Sequence, residues 1–128
     1  MIFIIDDDKS VVRALMLLLR VAGFHAEAFS SAEDFLKKSH ITDSDCIILD
    51  LSMPGMNGFD LMERLKTREI NAKIIIITAF DDAQNRERAR KMSAAAFLTK
   101  PVDDQALIDT IKWVLQCEKK ENNLRQSA

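Results

Sequence analysis

Residues 45 to 58 read Asp45-Cys46-Ile47-Ile48-Leu49-Asp50-Leu51-Ser52-Met53-Pro54-Gly55-Met56-Asn57-Gly58, and this stretch decides the fold. Asp45 to Leu49 is a short apolar run with the length and isoleucine content of a strand buried on both faces. It ends at Asp50, before a turn carrying Pro-Gly and Asn-Gly. A helix with Leu61, Met62 and Leu65 at helical spacing follows. A doubly buried strand that feeds a helix is one unit of a parallel sheet covered by helices.

The rest of the chain repeats that unit four times. Ile2 to Ile5 is the first strand, and its helix runs to about Ala22, where Gly23 is placed as a terminator. Phe24 to Phe29 reads as the second strand, after which Ser30 and Glu33 match a capping box opening a short helix through Phe35 and Leu36. Lys73 to Thr78 is the fourth strand, followed by a polar helix with Arg86, Glu87, Arg88, Arg90 and Lys91. Ala96 to Thr99 is a short fifth strand. The last helix starts near Asp103, shows Leu107, Ile108, Ile111, Val114 and Leu115 at helical spacing, and fades into a polar tail from Glu118. The expected architecture is α/β, a doubly wound five-stranded parallel sheet with five helices. One domain over residues 1–117 is expected, with 118–128 a tail or the start of a linker.

Bulk properties narrow the function classes. At 128 residues the chain has the size of one domain, with 48% hydrophobic and 30% charged residues, a globular balance. A net charge of −2 offers no basic face for nucleic acid. The apolar runs fall far short of the roughly 20 residues that span a bilayer, and Met1 to Ile5 runs into Asp6, Asp7 and Asp8, unlike a secretory signal. A cytoplasmic location is expected. Cys46 and Cys117 lack metal-ligand spacing, and His25 and His40 stand alone as surface residues. Trp113 and the methionines read as helix packing, with Met53 and Met56 near the turn after Asp50.

Ligands of open α/β sheets bind beyond the carboxyl ends of the strands. The first strand ends in Asp6 and Asp7, the third in Asp50, the fourth in Thr78 and the fifth in Lys100-Pro101. In the order 2-1-3-4-5 strands 1, 3, 4 and 5 are contiguous, which gathers three carboxylates, a hydroxyl and an ammonium into one cleft. Two carboxylates about 4 Å apart repel by roughly 4 kcal/mol at an effective dielectric near 20, so the cluster needs a cation. Oxygen-only donors without His or Cys favour Mg²⁺, with Mn²⁺ as a substitute. A carboxylate beside such an ion can attack phosphorus and form an acyl phosphate. Asp8, Asp60 and Asp103, by contrast, read as helix caps.

The residues resemble the receiver domain of a bacterial two-component response regulator over about residues 1 to 116. The resemblance rests on Ile4-Ile5-Asp6-Asp7-Asp8, Ile48-Leu49-Asp50-Leu51 with Met53-Pro54-Gly55, Ile77-Thr78-Ala79, and Phe97-Leu98-Thr99-Lys100-Pro101. It implies a CheY-like, flavodoxin-like fold with Asp50 as phosphoacceptor. It further implies Mg²⁺ held by Asp7, Asp50 and the backbone carbonyl of Ser52, with Asp6 completing the acidic pair through water. Thr78 is then the switch hydroxyl, Lys100 the phosphoryl-binding cation, and Phe97 the aromatic that changes exposure between states. Ser52 and Phe80 tune loss of the phosphoryl group, Phe80 by hindering water. A cis Lys100-Pro101 bond is implied, and so are a sensor histidine kinase as partner, a phosphorylation-dependent homodimer, and either a LuxR-type DNA-binding output outside this chain or, as the alternative, a stand-alone receiver that controls a protein partner. The sequence departs from the common pattern at Met92-Ser93-Ala94-Ala95-Ala96, where many receivers carry glycine at the place of Ser93.

Three other readings compete with this one. A small aspartyl-phosphate phosphatase needs a cap over its pocket, and no insertion is long enough to form one. A flavin or nucleotide module needs a glycine-rich loop after the first strand, and only Gly23, Gly55 and Gly58 occur. A receiver that no longer phosphorylates is disfavoured by the complete set of acids, Thr78 and Lys100.

Overall fold

The computed structural model describes the backbone of residues 1–38 and 40–127, and the side chains of those up to residue 116. Five strands, β1 (Ile2–Ile5), β2 (Ala26–Phe29), β3 (Cys46–Asp50), β4 (Lys73–Thr78) and β5 (Ala96–Thr99), alternate with α1 (Lys9–Val21), α2 (Ala32–Leu36), α3 (Gly58–Thr67), α4 (Ala83–Lys91) and α5 (Asp104–Ser127). All strand pairs are parallel and the order is β2-β1-β3-β4-β5, as expected.

The two-residue period of the inner strands divides the core. Phe3, Ile5, Ile47, Leu49, Ile74 and Ile76 face α2, α3 and α4, where they meet Phe35, Phe59, Leu61 and Leu65. Ile2, Ile4, Cys46, Ile48, Ile75 and Ile77 face α1 and α5, where they meet Leu15, Leu19, Leu107, Ile111 and Val114. A strand covered on both faces has no polar alternation to show, which is why these segments read as unbroken apolar runs.

Several boundaries differ from the sequence reading. β2 begins at Ala26 because Phe24 belongs to the end of α1, where its N–H donates to the Leu19 carbonyl at 2.9 Å. β3 runs through Asp50, which pairs in register with Ile77. The capping box expected from Ser30 and Glu33 does not form. Ser31 is the cap of α2, accepting from Asp34 N–H at 3.1 Å, and Glu33 reaches elsewhere. Trp113 is not core: it stands 57% exposed, on the side of α5 away from Ile111 and Val114. The backbone of α5 stays helical to Ser127, past the expected end near Glu118, since no Gly or Pro interrupts a segment rich in Glu, Lys, Gln and Arg. The packing of Cys117 lies outside the described side chains.

The acids read as caps do cap. Asp8 accepts from Ser10 and Val11 N–H at the start of α1, and Asp103 accepts from Ala106 N–H at the start of α5. Asp60 forms a reciprocal box with the cap residue Asn57.

Candidate functional site

At the carboxyl end of the sheet, Asp6 follows β1 directly and its amide still donates to the Phe29 carbonyl of β2 at 3.2 Å. Its side chain is buried, with one oxygen accepting from Asp8 N–H at 2.9 Å and the other from Lys100 Nζ at 2.8 Å. Asp50, the last residue of β3, is also buried; Oδ1 accepts from Ser52 N–H at 3.3 Å and Oδ2 lies 3.6 Å from Lys100 Nζ. Asp7 is exposed at the mouth. One oxygen from each of Asp6, Asp7 and Asp50 can lie within 4.8 Å of the others.

The electrostatics follow from that crowding. Burial, and after it the charge of Asp6, pushes the Asp50 carboxyl up to about 6 against the pull of Lys100. Burial also works against the Lys100 ammonium. Its hydrogen bond to Asp6 and the charges of both acids outweigh that and raise it above the ordinary amine value. One ammonium among three carboxylates leaves the cluster short of positive charge. A hard divalent cation suits a donor set made wholly of oxygens.

Chain geometry brings the other strand ends close. Thr78 closes β4 one residue beyond Ile77, the register partner of Asp50. Its buried hydroxyl accepts from Phe80 N–H at 3.0 Å, so it is engaged by its own loop. The Lys100 amide donates to the Thr78 carbonyl at 2.8 Å and the Lys100-Pro101 bond is cis, as the resemblance implies. Phe97 is half-buried against the α2-α3-α4 side of the core, with the Arg86 guanidinium 5.0 Å from its ring centre. Phe80 is 58% exposed beside the site. Met53 is buried in the core and Met56 packs against it.

Two positioning features escaped the sequence reading. The Glu33 carboxylate accepts from Met56 N–H at 2.8 Å and ties α2 to the loop that follows Asp50. Gly58 opens α3 so close to β3 that a Cβ there would stand 2.8 Å from the Asp50 carbonyl oxygen and 2.9 Å from Leu51 Cα. Any side chain at 58 drives α3 off the end of the strand that carries Asp50. Asn-Gly after the turn was the available signal for Gly58. For Glu33, whose partner lies 23 residues on, there was none.

Comparison with known proteins agrees with this geometry. The family model described as the response regulator receiver domain matches residues 2–112. Among curated relatives, the response regulator protein TodT of Pseudomonas putida is 37% identical over 115 residues, covering 90% of this chain and 51% of TodT. The transcriptional regulatory protein FixJ of Azorhizobium caulinodans is 35% identical over 111 residues, 87% of this chain and 53% of FixJ. Among solved structures, the response regulator StyR superposes with a TM-score of 0.87 at 40% identity, covering 98% of this chain and 64% of StyR. FixJ-N superposes with 0.81 at 31% identity, covering 90% and 92%. The chain thus spans about half the length of the curated relatives it matches.

Proposed function

This chain belongs to the response regulator receiver domain family, and from that premise we propose that it takes a phosphoryl group from a sensor histidine kinase onto Asp50. The observation that carries the reading is the cluster of Asp6, Asp7 and Asp50 with Lys100 2.8 Å from Asp6 and 3.6 Å from Asp50. An Asp50 oxygen attacks phosphorus as the bond to the donor breaks. Lys100 and the Thr78 hydroxyl receive the equatorial oxygens, where the charge of a transferring phosphoryl group is spread. Mg²⁺, or Mn²⁺ in its place, would be held by Asp7, Asp50, the Ser52 carbonyl and, through water, Asp6, and would supply the positive charge that Lys100 alone does not. Self-assisted phosphorylation and dephosphorylation are part of this reading, with Ser52 and Phe80 governing access of water.

Phosphorylation then shifts Thr78 and Phe97 and reshapes the surface of α4, β5 and α5, which meets a second copy or an output. Because its relatives are about twice as long and one is named a transcriptional regulator, control of transcription through a DNA-binding domain outside residues 1–117 is the output we propose. Among the described residues no helix is long and apolar enough to cross a membrane, which fits a cytoplasmic receiver.

Incubation with acetyl phosphate and Mg²⁺ followed by intact mass tests the assignment. Wild type is expected to gain one phosphoryl mass and Asp50→Asn none; an equal gain in Asp50→Asn overturns it. In the same experiment the gain should decay several-fold faster in Phe80→Ala. Gel filtration before and after treatment reports whether a second copy is recruited.

A further inference from the structure

The loop between β4 and α4, residues 79–82, is fastened at several points. Asp81 accepts from Arg86 with both oxygens, Oδ1 from Nε and Oδ2 from Nη2, the latter at 2.7 Å. Asp81 Oδ2 also accepts from the Thr99 hydroxyl at 2.6 Å. The hydrogen bonds of Arg86 and Thr99 hold this carboxyl down at about 2, so it is charged at any working pH. The same guanidinium lies over the Phe97 ring. Asn85 Nδ2 donates to the Phe80 carbonyl at 3.0 Å, and Phe80 N–H donates to the Thr78 hydroxyl. One carboxylate therefore joins the loop after Thr78 to the residue before Lys100, and through Arg86 it reaches the aromatic ring of β5.

We propose that Asp81, Arg86 and Thr99 form a latch that holds this loop and the Phe97 ring in the resting arrangement, and that phosphoryl uptake at Asp50 opens it. The inference rests on the phosphoacceptor reading above. Drawing the Thr78 side chain toward a group on Asp50 turns it away from Phe80 N–H, and the loop between them must move. Asp81 pins that loop to β5, and Arg86 pins the ring that has to vacate its place. Contacts made in one state and lost in the other bias the equilibrium between them by their difference. An exposed ion pair adds little to overall stability, so the latch acts on the balance of shapes more than on folding. It also explains why so polar a helix as α4, with only Ala89 buried, carries an arginine facing back toward the sheet edge.

Titration of the chain with beryllium fluoride in the presence of Mg²⁺ reads the balance, because this acyl-phosphate mimic binds the switched state more tightly. Asp81→Asn, Arg86→Ala and Thr99→Val should each lower the half-saturating concentration at least threefold. The Asp81→Asn/Arg86→Ala double variant should gain no more than the better single one, since the two residues act as a unit. Unchanged half-saturation, or single effects that multiply in the double variant, overturns the latch. A second readout needs no phosphate: ¹⁹F NMR of fluorophenylalanine-labelled protein, with the Phe97 signal assigned by Phe97→Leu. Arg86→Ala and Asp81→Asn should shift or split that signal in the untreated protein, and an unmoved signal in both overturns the proposal. If wild type takes up neither acetyl phosphate nor the mimic, the phosphoacceptor reading fails, and the fluorine signal still decides whether Asp81 and Arg86 hold Phe97.

Discussion

Asp50 is a carboxylate kept in a place that does not favour its charge. Its carboxyl titrates at about 6 in the folded chain against an ordinary value of 3.8, so between those pH values the folded state binds more protons than the unfolded one. Stability of the metal-free protein therefore falls as pH rises from about 4 to about 6. The cost is at most about 3 kcal/mol, the worth of the full displacement. Asp50→Asn should remove it: without Mg²⁺ the variant is expected to resist urea better than wild type at pH 7 and no better below pH 4. Mg²⁺ should stabilise wild type and leave Asp50→Asn nearly unmoved. An unfolding midpoint for Asp50→Asn at or below that of wild type at pH 7 would contradict this account. The strain was readable before the structure, because Asp6, Asp50 and Lys100 each stand at the end of a strand and the 2-1-3-4-5 order of a doubly wound sheet brings those ends together. Asp81 with Thr99, 18 residues apart, was not, since that pairing depends on how the loop after β4 folds back onto the end of β5.

Three helices end in the same way. At the end of α1 Gly23 takes φ +89°, at the end of α3 Glu69 takes φ +58°, and at the end of α4 Ser93 takes φ +63°. In each case the next amide donates back across the last turn: Phe24 to Leu19, Ile70 to Leu65, Ala94 to Ala89. A left-handed residue at this position suits glycine and costs a residue with a Cβ. Ser93→Gly and Glu69→Gly should each stabilise by about 0.5–1 kcal/mol, part of the conformational relief being offset by a freer unfolded chain. Gly23→Ala should destabilise by a similar amount through backbone conformation alone, since a Cβ there meets nothing within 4 Å. Urea unfolding of the three variants checks the signs. The departure from glycine at Ser93 was visible in the sequence, and the structure places it at the cap of α4. The misplaced box at Ser30 has the opposite lesson: two serines in a row each offer an oxygen, and only the path of the chain into α2 selects Ser31.

Across the whole molecule the topology was legible because its inner strands are uniform in character, while the shape of its periphery was not, because edge elements answer to local contacts. β1 and β3 are buried at every residue, and β4 at all but Lys73. β5 has none of its four residues fully buried, and it pairs with β4 on one side only. Asp50, which would carry the phosphoryl group, and Asp6 beside it thus stand at the ends of the most enclosed strands, and Phe97 and Thr99 sit on one of the least enclosed. Amide hydrogen exchange should register that contrast as a gradient, with protection highest in β1, β3 and β4 and falling off across β5. Equal protection of β5 and β3 would argue against it. A sheet built this way works like an anvil with a spring at its rim: the blow lands where nothing yields, and the movement appears at the edge, where few packed neighbours resist it.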